Sequence, residues 1–102
     1  MSILITGALS AKAHQLKQQF TDSEVLLGDF EELPIFMVQS GKMLKLPAPK
    51  SAAYLHEMLA ICLDNGVTRV LALNVQEFQL LSEAVQLFDE YGIQIERGYD
   101  GL

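Results

Sequence analysis

The stretch Ile3-Leu4-Ile5-Thr6-Gly7-Ala8-Leu9-Ser10 decides the fold, because an apolar run stops at a glycine and passes directly into a helical pattern. A short, wholly apolar strand needs cover on both faces, the mark of a parallel α/β sheet rather than a half-exposed antiparallel one. This run is expected to be the central strand. Its C-terminal loop then lies at the ligand crevice of an open α/β sheet, outside the strand carboxyl ends where strand order reverses.

Beyond Gly7, apolar residues recur at helical spacing through Leu9, Ala13, Leu16 and Phe20, with Ser10 or Leu9 near the helix start. Lys12, Gln15, Lys17 and Gln18 point away from that stripe. The next strand is Glu24-Val25-Leu26-Leu27-Gly28, ending on Asp29, and a strand, helix, strand unit of this length crosses over right-handed.

Between Phe30 and Pro49, the apolar fours Ile35-Phe36-Met37-Val38 and Met43-Leu44-Lys45-Leu46 permit a hairpin. The preferred reading makes the first irregular after Pro34, as strand or loop, and Lys42 to Leu46 a short edge strand protected by lysines.

A second helix follows, with Ser51 as N-cap, a stripe of Leu55, Met58, Leu59 and Cys62, and Gly66 as its left-handed terminator. Val67 to Leu73 holds the fourth strand. Asn74-Val75-Gln76-Glu77 then fits a capping box, in which Asn74 accepts from the Glu77 amide while the Glu77 side chain reaches back. One long helix is expected to carry Phe78, Leu81, Val85 and Phe88 on one face until Gly92, before a last strand Ile93-Gln94-Ile95 and a polar tail from Glu96. The resulting architecture is a three-layer, Rossmann-like open parallel sheet of order 3-2-1-4-5 with helices on both faces.

The 102 residues suffice for one domain, and no repeat, linker or low-complexity segment divides 1–102. A net charge of −6 disfavours nucleic-acid phosphate and anionic lipid as partners. The apolar N-terminus lacks the basic flank of a secretory signal, and no apolar run approaches the roughly 20 residues that span a bilayer. The single Cys62 makes no internal disulfide and suits a reducing compartment, so a soluble cytoplasmic protein is expected.

Few residues carry chemistry. Gly7, Ala8, Ser10 and Lys12 sit where a dinucleotide fold places its phosphate loop, and Asp29 sits where a ribose acceptor belongs. The fingerprint's second and third glycines are missing, and Leu9 would obstruct a pyrophosphate. A small anion held by helix amides, Ser10 and Lys12 is the looser alternative. Asn74 and Glu77 face the same crevice from the fourth strand, although capping already employs both. Gly7, Ala8, Ser10, Lys12, Asp29, Asn74 and Glu77 are thus the candidate ligand residues.

No P-loop is present. His14 and His56 lack metal-ligand spacing, and Cys62 lies about 240° round the helix from His56, so neither a metal site nor a Cys-His pair is expected. The carboxylate pairs Glu31-Glu32 and Asp89-Glu90 read as solvated charge, and Lys42, Lys45 and Lys50 as edge protection or an anion site.

Read together, Ile3 to Ala8, Val25 to Asp29, Lys45-Leu46-Pro47, Ser51, Tyr54, Leu59 to Cys62, Gly66-Val67, Val70 to Leu73, Glu77-Phe78, Phe88 and Tyr91-Gly92-Ile93 resemble the pre-ATP-grasp domain. This is the Rossmann-like N-terminal module of ATP-grasp ligases such as the carbamoyl-phosphate synthetase and biotin carboxylase groups. Two places depart from the synthetase-like pattern: Leu9 or Ser10 replaces a second glycine, and Val75 replaces an acidic residue. The resemblance assigns ATP and metal to a following ATP-grasp domain, which these residues do not include. It implies a domain without catalysis or cofactor of its own, either a detached part or a stand-alone relative of an ATP-dependent carboxylate ligase. Such a domain would work in substrate-side binding or assembly, as a homodimer or with a separate ATP-grasp domain. The alternative is a module for a small anion or nucleotide at the strand carboxyl ends.

Overall fold

A computed structural model describes residues 2–20, 24–31, 35–39 and 43–98. Among these residues ten elements run in the order β1 (Ser2–Ile5), α1 (Ala11–Gln19), β2 (Glu24–Asp29), α2 (Ile35–Gln39), β3 (Met43–Lys45), α3 (Tyr54–Asp64), β4 (Val67–Ala72), α4 (Val75–Ser82), α5 (Val85–Glu90) and β5 (Gln94–Arg97). The five strands form one sheet of order β3-β2-β1-β4-β5, as expected, and every adjacent pair is parallel. Ser2, Ile3, Leu4 and Ile5 are all buried, because β1 has helices over both faces.

Alternation along β1 divides the interior into two cores. Ile3 and Ile5 pack with Ala8, Ala13, Leu27, Met43 and Leu71 beneath α1 and α2, while Leu4 packs on the other face with Val70 of β4 and with Met58, Cys62, Leu81 and Phe88 from α3, α4 and α5. Strand order reverses between β1 and β4. The helices that follow these strands, α1 and α4, therefore leave to opposite faces, and their loops diverge.

Several local expectations change. Residues 35–39 form a helix rather than strand or loop, and β3 pairs parallel with β2, which rules out a hairpin. The turn Gln39-Ser40-Gly41-Lys42 lies mostly outside the described residues, as do Glu32 and Lys42. Helix α3 starts at Tyr54, two residues later than Ser51 as N-cap would set it. Ser51 instead accepts from the Ala53 amide at 3.2 Å through its hydroxyl and from the Tyr54 amide at 3.2 Å through its carbonyl, so it organises the preceding turn.

The long final helix is broken. Glu83 and Ala84 close i to i−3 turns on Leu80 and Leu81, which rotates α5 so that Phe88 and Ala84 are buried while Val85 is exposed. The last strand extends past Ile95 through Glu96 and Arg97, because Arg69 of β4 holds Glu96 in a bidentate pair at 2.6 and 2.9 Å. Gly66 has φ 65° at the end of α3, as its terminating role requires.

Candidate functional site

The loop after β1 is built by short-range bonding. Gly7 takes φ 72°, a left-handed conformation that strains any L side chain. The Ser10 amide and hydroxyl donate to the Gly7 carbonyl at 2.9 and 2.8 Å, and the Ser10 oxygen accepts from the Ala13 amide at 3.3 Å as the N-cap of α1. Thr6, fully buried, ties this loop to β4 by accepting from the Leu73 amide at 3.2 Å. The Ala8 amide donates to the Gly28 carbonyl at 3.0 Å, which anchors the other side to β2.

Asp29 ends β2 and is only 5% exposed. One carboxylate oxygen accepts from the Leu9 amide at 3.3 Å and the other from the Glu31 amide at 3.2 Å, so Asp29 joins the β1 and β2 loops. Lys45 of the edge strand fixes the same loop from outside, donating to the Phe30 and Glu31 carbonyls at 2.6 and 2.9 Å. Its ammonium therefore holds backbone rather than standing as open edge protection.

At the start of α4 the capping box forms by half. Asn74 accepts from the Glu77 amide at 3.2 Å, as expected. The Glu77 side chain does not reach back. It turns inward to 0% exposure, where Oε2 accepts from the Tyr54 hydroxyl at 2.7 Å and Oε1 has no hydrogen-bond partner among the described residues. Burial raises the Glu77 pKa above its ordinary value; the Tyr54 hydrogen bond opposes that rise and the nearby Asp29 charge adds to it. Tyr54 is pushed up too, first by burial and then by the Glu77 charge, so it stays a protonated donor at neutral pH.

These loops enclose a cleft of about 290 Å³ at the carboxyl ends of β1, β2 and β4, lined by Gly7, Leu9, Ser10, Asp29, Phe30, Glu31, Asn74 and Glu77. Five of the seven residues singled out from sequence meet here: Gly7, Ser10, Asp29, Asn74 and Glu77. Lys12 does not join them. It lines an adjacent cleft of about 260 Å³ with Gly7, Ser10, Leu73 and Asn74. Ala8 is buried in the core under α1.

Sequence reasoning missed Tyr54 as a site residue, although Tyr54, Met58 and Cys62 repeat at four-residue spacing and form the buried stripe of α3. Glu31 is exposed, as its reading as solvated charge expects, and it also lines the cleft. Cys62 is a buried thiol, pushed up to about 12 by burial, which suits packing rather than nucleophilic chemistry. Among the described residues, no group of three or more His, Cys, Asp or Glu side chains is placed to hold a metal ion. No described helix is long and apolar enough to cross a membrane.

The family model described as the PylC-like N-terminal domain matches residues 3–96, so it takes in every element of this fold up to the last strand. The comparison with curated proteins gives no match.

Proposed function

We propose a function from one fact: the chain belongs to the PylC-like N-terminal domain family, a pre-ATP-grasp domain related to the ATP-grasp ligases. In our reading it is the substrate-side module of an ATP-dependent carboxylate ligase. It binds substrate or assembles with a separate ATP-grasp domain or a second copy, and it neither activates ATP nor carries a cofactor itself. Beside that membership, the reading is supported by the cleft at the point where strand order reverses, whose lining includes the buried Glu77.

Phosphate chemistry has little support in that cleft. Leu9 stands 49% exposed at its rim, and among the described residues the lining includes Asp29, Glu31 and Glu77 and no basic residue. A reducing, cytoplasmic compartment fits the buried lone thiol of Cys62. The second reading, small-anion or nucleotide binding, is favoured by the adjacent cleft, where Lys12 joins Ser10 and Asn74.

Purified protein incubated with ATP and magnesium tests the main reading. The expected result is no phosphate release above that of a Lys12→Ala, Asp29→Asn double variant. Turnover that the double variant loses would overturn it.

A further inference from the structure

We propose that β5 is a docking edge for a second copy of this chain, the two Gln94–Arg97 runs pairing antiparallel about a two-fold axis at Ile95. The proposal rests on the assembly half of the reading above and names the surface and its register. Among the described residues β5 has a neighbouring strand on one side only. The other edge, β3, is three residues long with Pro47 close behind it. β5 keeps an unbroken register with β4 and holds neither lysine nor proline, so it lacks the usual devices that blunt an edge.

Backbone direction fixes what that edge offers. The Gly98 amide donates to the Ala72 carbonyl at 2.8 Å. Amides along a strand point alternately to its two sides, so those of Glu96 and Gln94 also face β4, while the Ile95 amide and carbonyl face outward. A second copy turned about the two-fold axis brings its own Ile95 opposite, and the two residues exchange N–H···O bonds as a hydrogen-bonded antiparallel pair. Both Ile95 side chains then lie on the face that packs against the Phe88 core.

Charge and bonding select this register. Residues opposed across an antiparallel pair share a sheet face, so the axis must pass through a residue. At Glu96 it would oppose two carboxylates, and at Arg97 two guanidinium groups. At Gln94 it would need the Ile93 amide, which already donates to the Phe88 carbonyl at 3.0 Å. At Ile95 it sets each exposed Gln94 against the partner's Glu96. Arg69 holds Glu96 at 2.6 and 2.9 Å, yet a carboxylate offers about four acceptor sites, so Glu96 can also accept from a glutamine amide across the axis. One short strand buries little area, so the dimer is weak and concentration-dependent.

Sedimentation equilibrium over a range of concentrations tests the proposal on the full chain. Wild type is expected to approach the mass of a dimer as concentration rises. Gln94→Glu, which sets like charges against each other twice across the axis, is expected to weaken the dimer roughly fivefold, and Gln94→Lys to strengthen it by a similar factor. Gln94 is exposed, so both variants keep the fold. In the Gln94→Cys, Glu96→Cys double variant, oxidation is expected to give a covalent dimer on a non-reducing gel, because the opposed Cα atoms of such a non-hydrogen-bonded pair stand about 4.5 Å apart, within disulfide reach. A strictly monomeric wild type, equal effects of the two charged Gln94 substitutions, or a double variant that stays monomeric on oxidation would overturn the proposal. None of these outcomes touches the cleft, whose substrate-side reading the ATP assay tests separately.

Discussion

Glu77 occupies the third position of a helix, where a carboxylate ordinarily completes a cap, and its side chain instead crosses to Tyr54 of α3. Sequence could supply the Asn74 half of that motif, because an asparagine side chain can reach only its own first turn. It could not supply the Glu77 half, because the destination of a longer side chain depends on a residue 23 positions away. The consequence is a pH dependence of definite sign. A carboxyl whose folded pKa is raised binds more protons in the folded state, so its contribution is fully present below the unfolded value and is lost as pH rises through the folded one. The groups bearing on it are Tyr54 from α3 and Asp29 from β2. Urea titrations at a series of pH values should show stability falling from about 4.5 upward in the wild type, and Glu77→Gln should remove that part of the slope. Gly7 was legible outright, since an apolar strand passing into a helix needs a sharp turn. Gly7→Ala should lower stability by about 1–2 kcal/mol, because φ 72° is left-handed and the new methyl would sit 3.2 Å from the Leu73 Cβ. The urea midpoint reads this out.

Between elements, the decisive contact joins α3 to α4. Tyr54→Phe leaves a second buried Glu77 oxygen unpaired and should cost about 1–3 kcal/mol in the same denaturation assay. On the sheet's other half, Arg69 of β4 grips Glu96 of β5 and lies 5.2 Å over the Phe20 ring. The hydrogen bond from Arg69 holds the Glu96 carboxyl below its ordinary pKa, so here the sign reverses: the contribution is present above the ordinary pKa and lost as pH falls through the lowered one. Both side chains are about one-third exposed, so Glu96→Gln should cost less than about 1 kcal/mol at neutral pH. Element identity was legible where apolar runs were covered on both faces. It failed at α2, where Ile35, Phe36 and Val38 are exposed and five residues are too few to display a period. The break between α4 and α5 was hidden too, since Phe78, Leu81, Val85 and Phe88 keep helical spacing across it.

For the molecule as a whole, strand order followed from one inference, that the first apolar run is central, and right-handed crossovers supplied the rest. The place of the cleft was therefore legible, but its charge was not. Lys12 was expected at its rim, whereas α1 carries Lys12 to the neighbouring cleft and leaves Asp29, Glu31 and Glu77 facing the larger one. Assembly remains a proposal argued from the β5 edge, whose Gln94–Arg97 run has no lysine or proline and adjoins α5 with its exposed Val85. We expect light scattering at rising concentration to report a mass above the monomer, and a strictly monomeric mass would remove the second copy from the partners. Glu77, buried and half-paired by Tyr54, is the one carboxyl that belongs both to the lining of the cleft and to the core contact between α3 and α4. Carbon-13 shifts of the Glu77 side-chain carboxyl, followed across pH in the wild type and in Tyr54→Phe, observe that group itself. The inflection should lie above 4.5 and move higher still when the Tyr54 hydroxyl is removed; an inflection at or below 4.5 that Tyr54→Phe leaves in place would contradict the account.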